Sequence, residues 1–340
     1  MKKPLVSLIM PLYNHEKYLQ KSIRTILDQT YSKLELIIID DGSTDNSFEI
    51  INGFKDNRIR YIYQNNLGVK KLNLTINKGL KLAKGSLVTM VASDDYLPLD
   101  RIENQIKYFD NEKIDLVFGN ITLTDENEKK IKLIRPNIDC NYNNQPKEKK
   151  IRKYFENNYI PQPSTLIRTS ALKKIGGYIQ KNYMYAEDYP TQLNLMMNGE
   201  VLYINKNFSF YRLHDSQMTR LHQDKMIQSD IRYLKSFYKS LTKFKRRQTG
   251  FADISELEMF LKKKELNLSF YIGCSKACIK ENKIAKQFFI KGIRDGTLSN
   301  RIKCILGLFF LTINFNFNIF RNMKKFFERF MNGFFYSKNI

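Results

Sequence analysis

The chain of 340 residues has no tryptophan, only three histidines and four cysteines. Cys140, Cys274, Cys278 and Cys304 have the spacing of neither a disulfide framework nor a zinc site, which fits a reducing compartment. No G-x-G-x-x-G follows the first apolar run, which argues against a dinucleotide site of the Rossmann kind. Uninterrupted apolar stretches of the ~20 residues a membrane span needs are missing too. The nearest candidate, residues 304–320, is broken by Asn314, Asn316 and Asn318. The opening MKKPLVSLIM is too short for a signal-peptide core and lacks a small-residue cleavage site, so it reads as a first strand. Acidic residues are scarce: 34 Asp/Glu stand against 57 Lys/Arg, a net charge of +23. The surplus is uneven, because residues 231–340 hold 23 Lys/Arg against 7 Asp/Glu.

What is present is a globular composition, 42% apolar, long enough for two or three domains. Residues 87–98, LVTMVASDDYLP, organise the rest. An apolar run there ends in Asp94 and Asp95. Such a run reads as a buried parallel strand, and its C-terminal end is where open α/β sheets bind ligands. Two adjacent carboxylates resist joint ionisation unless a cation relieves them. Oxygen ligands suit Mg²⁺ or Mn²⁺. Taken alone, the pair reads more readily as a solvated cap on the following helix, and it is the rest of the N-terminal half that favours the ligand site.

In chain order, strands are expected at 5–10, 34–39, 59–63, 87–92 and 116–118. Helices are expected at 15–29, from Thr44 or Asp45 to about 54, from 69 to 83, and at 99–109. This alternation implies right-handed crossovers and a parallel sheet. Beyond residue 121 the pattern loosens. Residues 139–148 read as a mobile connection, 149–155 as helix, 162–168 as strand, and a short helix stops at Gly176-Gly177. A second acidic pair, Glu187-Asp188, precedes a helix at 190–198, and 201–212 reads as extended chain. Helices at 231–244, 255–271 and 284–293 follow.

Seven segments carry a resemblance: PLYNHEKYL at 11–19, IIIDDGSTDNS at 37–47, NLGVKKLNLTINKGLKLAKG at 66–85, ASDDYLP at 92–98, PQPSTLIRTSALKKIGGY at 161–178, AEDY at 186–189 and YRLHDS at 211–216. In this order they resemble the family 2 glycosyltransferases over roughly residues 5–216. The resemblance implies an α/β chain of GT-A fold, with a mostly parallel central sheet flanked by helices and a mainly helical C-terminal region. The catalytic domain is expected over 1–216, its nucleotide half to about 120 and its acceptor half beyond. A helical region over 217–300 and a basic aromatic tail over 301–340 complete the division.

The implied activity is transfer of one sugar, with inversion, from a nucleotide diphosphate sugar to a hydroxyl of a glycan or lipid-linked acceptor. A UDP-sugar is the expected donor, and bacterial surface polysaccharide or lipopolysaccharide the expected product. A departing pyrophosphate needs positive charge, and Mn²⁺ or Mg²⁺ supplies it. By motif, Asp95 is the metal ligand, Asp94 serves the ribose or the metal, and a neutral His214 is a third ligand beside Arg212 over the pyrophosphate. The attacking hydroxyl needs a base on the opposite face of the sugar, a role that falls to Asp188 with Glu187 as its neighbour. Pro11, Tyr13, Asn14, Asp41 and Ser43 would hold the base and ribose, with Gly68 and Asn77 at further nucleotide positions.

Three departures stand out. Ala92 replaces an acidic residue that many relatives have, and Ile76 replaces an arginine. Without tryptophan, the Q-x-x-R-W motif of processive synthases cannot exist, so a single transfer is expected. Two other readings remain: a nucleotidyltransferase, which would not need the second acidic pair, and a catalytically degenerate membrane-bound scaffold. In the tail, Lys324, Lys325 and Arg329 alternate with Phe326, Phe327, Phe330, Phe334 and Phe335. Such a segment suits an anionic membrane surface, placing the protein peripherally on the cytoplasmic face. Packing on the catalytic domain or on a partner copy in a homo-oligomer is the alternative. No motif points to nucleic acid.

Overall fold

The computed structural model describes residues 3–278 and 280–313. The chain divides into two compact units, one of residues 1–222 and 236–252, the other of 223–235 and 253–340.

The elements begin β1 (Val6–Leu12), α1 (Glu16–Leu27), β2 (Leu34–Asp40), α2 (Ser47–Gly53), β3 (Ile59–Tyr63), α3 (Leu72–Leu82), β4 (Leu87–Met90) and α4 (Arg101–Ile106). They continue β5 (Ile114–Thr124), β6 (Lys130–Ile134), α5 (Lys147–Glu156), β7 (Leu166–Arg168), α6 (Thr169–Lys174), α7 (Asp188–Asn198) and β8 (Glu200–Arg212). Helices α8 (Met218–Leu221), α9 (Gln223–Ser240), α10 (Lys243–Arg247), α11 (Ile254–Cys278), α12 (Asn282–Asp295) and α13 (Leu298–Thr312) follow.

In the first unit, β3, β2, β1 and β4 pair in parallel in that order. The apolar runs of β1, β2 and β4 are covered on both faces, as parallel strands between helices require, while the edge strand β3 is only partly buried. Leu8, Met10, Leu36 and Ile38 pack with Leu19, Ile23 and Ile26 of α1, while Ile37 and Ile39 face Leu82 and Ala83. Because β1 lies between β2 and β4, the loops after these three strands open at one edge beside a topological switch point.

Beyond β4 the sheet is mixed rather than parallel throughout. β7 pairs antiparallel with both β4 and β5, β6 pairs antiparallel with β5, and β8 runs parallel along β5. The strand expected over 162–168 keeps only three residues, because Gln162–Ser164 forms a 3₁₀ turn. The segment 139–148 is anchored, not a bare connection. Tyr142 is buried, its hydroxyl 3.0 Å from that of Tyr159, and Lys150 Nζ donates to the Asn143 carbonyl.

In the second unit, α11, α12 and α13 pack through Phe270, Ala277, Ala285, Phe289 and Cys304. Gly307 sits so close to Phe289 that a Cβ there would meet the ring at 2.5 Å. The boundary expected at residue 301 therefore falls inside a helix, and α13 belongs to this core rather than to a tail. On its outer side Leu298, Ile302, Ile305 and Phe309 are exposed. Among the described residues no helix is long and apolar enough to cross a membrane. The basic aromatic segment 321–335 lies outside the described residues.

Candidate active site

The loop after β4 is held from below by two polar residues of α1 and by Gln29 just past its end. Ser22 Oγ donates to the carbonyls of Ser93 and Asp95, Thr25 Oγ1 accepts from the Leu97 N–H at 3.1 Å, and Gln29 Nε2 donates to the Pro98 carbonyl at 2.7 Å. Gln29 Oε1 also accepts from the Ile102 N–H. Ser22 and Thr25, three apart, share a face of α1. The sequence reading used only the apolar face of this helix.

The two carboxylates of the loop diverge. Asp95 is buried, its Oδ1 accepting from the Arg212 N–H at 3.0 Å and its Oδ2 buried without a hydrogen-bond partner. Burial, then the charge of Asp94, pushes its pKa well above the ordinary carboxylate value. Asp94 faces a histidine pair instead. Its Oδ2 lies 2.9 Å from Nε2 of His214, whose Nδ1 is 2.8 Å from Ser216 Oγ. His15 completes the group: ligand-capable atoms of His15, Asp94 and His214 lie within 4.8 Å of one another. Burial alone would raise the Asp94 pKa, but the His214 hydrogen bond and the nearby imidazoles outweigh it and bring it below the usual value. Of the expected metal ligands, Asp94 and His214 are thus brought together, Asp95 points into the packing beneath them, and His15 joins. Two imidazoles and a carboxylate form a donor set that fits a divalent cation.

Arg212 does not reach over this cluster. Its guanidinium is spent on the Asp94 carbonyl at 2.9 Å, the Glu126 carbonyl at 3.0 Å and Glu128, between the rings of Tyr18 and Tyr96. A buried guanidinium with these partners holds the loop in place. An antiparallel bridge between Tyr96 and Phe210 fixes the same contact.

The loops after β1 and β2 bind each other. Asn14, in the left-handed region at φ 51°, donates its N–H to Ser43 Oγ and accepts from the Thr44 N–H through Oδ1. Pro11 pairs with Ile39 in the sheet, and Tyr13 is half exposed at this edge. Neither expected cap takes the N-cap of α2, which is Asn46, but Asp45 just before it accepts from the N–H groups of Glu16 and Ser47 at the starts of α1 and α2. Asp41 accepts from Gln64 Nε2 and from the N–H groups of Leu67 and Gly68, so it positions the turn that carries Gly68. Asn77 stands apart from these loops. Its Nδ2 donates to the Tyr178 carbonyl and its Oδ1 accepts from the Tyr178 N–H, both at 2.8 Å, which uses the amide to lock α3 to the Gly176-Gly177 turn.

The second acidic pair begins α7. Asp188 accepts from the Tyr189 N–H and, through Oδ2, from Asn158 Nδ2 at 3.1 Å. Burial raises its pKa despite these bonds. Glu187 is buried, and desolvation followed by the neighbouring Asp188 charge pushes it up to about 8. Burial, followed by the charges of Asp95, Asp94 and Asp188, raises the pKa of the Tyr211 phenol on β8. His15 and Tyr211 were not singled out from the sequence, although both fall inside matched segments.

A carboxylate loop at the C-terminal edge of β4 and a second acidic pair at the start of α7, on a mixed sheet flanked by helices, are the features of the GT-A class of transferases. The chain belongs to glycosyl transferase family 2, whose profile matches residues 7–176. Over 126 residues, 36% of this chain, it is 40% identical to the glycosyltransferase GlyG of Streptococcus pneumoniae. Over 116 residues, 34% of this chain, it is 39% identical to WfaP of Escherichia coli, a UDP-Glc:alpha-D-GlcNAc-diphosphoundecaprenol beta-1,3-glucosyltransferase. The matched segments span 41% and 45% of those relatives. The fold is similar to that of the mannosyltransferase PcManGT of Pyrobaculum calidifontis, solved with GDP-Man and Mn²⁺ (TM-score 0.58, 14% identity, 99% of this chain and 89% of that one). It is also similar to TarS of S. aureus, solved with UDP-GlcNAc (TM-score 0.54, 17% identity, 84% of this chain and 90% of that one).

Proposed function

We propose that the chain is an inverting, metal-dependent glycosyltransferase that moves one sugar from a UDP-sugar to a hydroxyl of a glycan or lipid-linked acceptor in surface-polysaccharide assembly. The observation that carries this reading is the cluster of His15, Asp94 and His214 at the C-terminal edge of β4 in a chain of glycosyl transferase family 2. The WfaP name, with its UDP-Glc donor and diphosphoundecaprenol-linked acceptor, supports the donor and acceptor classes. Asp94 and His214, seated on Asp95, would hold Mn²⁺ or Mg²⁺, whose charge offsets that of a departing pyrophosphate. Pro11, Tyr13, Asn14, Asp41, Ser43 and Gly68 frame the base and ribose. Asp188, fixed by Asn158 and the Tyr189 N–H, takes the acceptor proton, and the raised pKa of its neighbour Glu187 makes the pair more basic than free carboxylates. Direct displacement needs no protein nucleophile, and inversion follows from attack opposite the leaving group. The exposed row on α13 and the cationic residues after it support a place at an anionic membrane on the cytoplasmic side.

The test is incubation with UDP-sugars, Mn²⁺ and a lipid-linked glycan acceptor, with the product anomer read by NMR. A product with the donor's own anomeric configuration would remove the inverting mechanism. Failure of every nucleotide sugar to stabilise the protein against heat, with or without Mn²⁺, would remove the transferase reading.

A further inference from the structure

Resting on that reading of the cation site, we propose that His15 is a third protein ligand to the ion held by Asp94 and His214. The resulting set, two imidazoles and one carboxylate, favours imidazole-accepting ions such as Mn²⁺ and Co²⁺ over Mg²⁺.

Three observations carry this. The first is proximity: the three side chains bring their ligand atoms within 4.8 Å of one another, although His15 comes from the start of α1, Asp94 from the β4 loop and His214 from beyond β8. The second is orientation. His15 Nδ1 lies 2.7 Å from Ser93 Oγ and His214 Nδ1 lies 2.8 Å from Ser216 Oγ. A histidine ligand characteristically has its other ring nitrogen fixed by such an outer partner, and here both rings have one. The third is that the cap position of His15 does not use its ring. His15 occupies the N-cap of α1, but only its carbonyl is engaged there, accepting from the N–H groups of Tyr18 and Leu19. Its ring instead stands edge-on to His214, with centroids 5.9 Å apart. Mg²⁺ prefers an all-oxygen, largely hydrated shell, whereas nitrogen donors move affinity up the series from Mn²⁺ to Co²⁺.

The full chain, labelled with ¹⁵N-histidine, is titrated with Zn²⁺ as a diamagnetic probe, alone and with UDP. The chain has three histidines, so the ring signals are few enough to assign. The signals of His15 and His214 are expected to move together. In parallel, Mn²⁺ affinity is measured by calorimetry and Co²⁺ binding by visible absorption for wild type, His15→Ala and His15→Gln. Loss of His15 is expected to weaken Mn²⁺ binding by about tenfold or more and to reduce the preference for Mn²⁺ over Mg²⁺. An ion that binds while only the His214 signal moves, or Mn²⁺ affinity within twofold of wild type in both variants, overturns the proposal and leaves the cation site standing. If no ion binds the wild type with or without UDP, the cation site itself falls, and this inference with it.

Discussion

At the scale of single residues, neighbours in sequence have different work. Asp94→Asn is expected to abolish Mn²⁺ binding while the melting temperature stays near that of wild type. Asp95→Asn keeps the side-chain shape and the Oδ1 acceptor for the Arg212 N–H, and is expected to leave both nearly unchanged. Asp95→Ala strands the Arg212 N–H and is expected to cost about 1–3 kcal/mol in urea unfolding. The reverse ranking would return the metal to Asp95. Asp188→Asn is expected to lower turnover by about 10²-fold with donor affinity kept, and single-turnover kinetics with a separate binding measurement check it. Glu187 gives a sign for pH dependence. Its folded pKa of about 8 lies above the unfolded value, so between about pH 4.5 and 8 the unfolded chain binds fewer protons and stability falls as pH rises. Glu187→Gln should flatten that fall in melting temperature; an unchanged slope would assign the drift to another group.

At the scale of elements, what could be read from the sequence was whatever is local. β1, β2 and β4 showed as apolar runs because both faces are buried, and the loops after them showed as motifs because their residues are contiguous. The rest depended on partners far along the chain. Nothing near Asn77 announces that its amide closes on Tyr178, and nothing near Arg212 announces two tyrosine rings and the carbonyls of Asp94 and Glu126. β7 was overextended because only three of its residues find ladder partners, and β6 was missed because one side of it stays exposed. The Asn77 lock makes its own forecast. Asn77→Ala removes both bonds to Tyr178 and should destabilise the first unit by about 1–3 kcal/mol, measured by urea unfolding. Gly177→Ala should be at least as harmful, since φ is +89° and the new Cβ would meet Asn77 Oδ1. Wild-type stability in both variants would show the lock to be idle.

At the scale of the whole molecule, the sequence divided the chain by charge, whereas packing divides it by core. Deleting residues 314–340 leaves α13 complete and removes Arg321, Lys324, Lys325, Arg329 and Lys338. Each such cation contributes about 1 kcal/mol near an anionic surface, so flotation with anionic liposomes should weaken, as it should for the full chain in high salt. A cut before Leu298 instead bares Phe289 and Ala285 and should yield aggregated protein. Equal flotation by the full and shortened chains would take the membrane away from that segment. The polar residues on and just past α1 have their own consequence. A loop at the rim of a ligand site is ordinarily among the first places to open to solvent, but this one has its peptide groups tied to Ser22, Thr25 and Gln29 inside the core. In deuterated water the amide of Leu97 should therefore hold its proton about as long as those of β1. The acidic rim would then open only when the first unit opens as a whole, and a substrate would meet it already in shape.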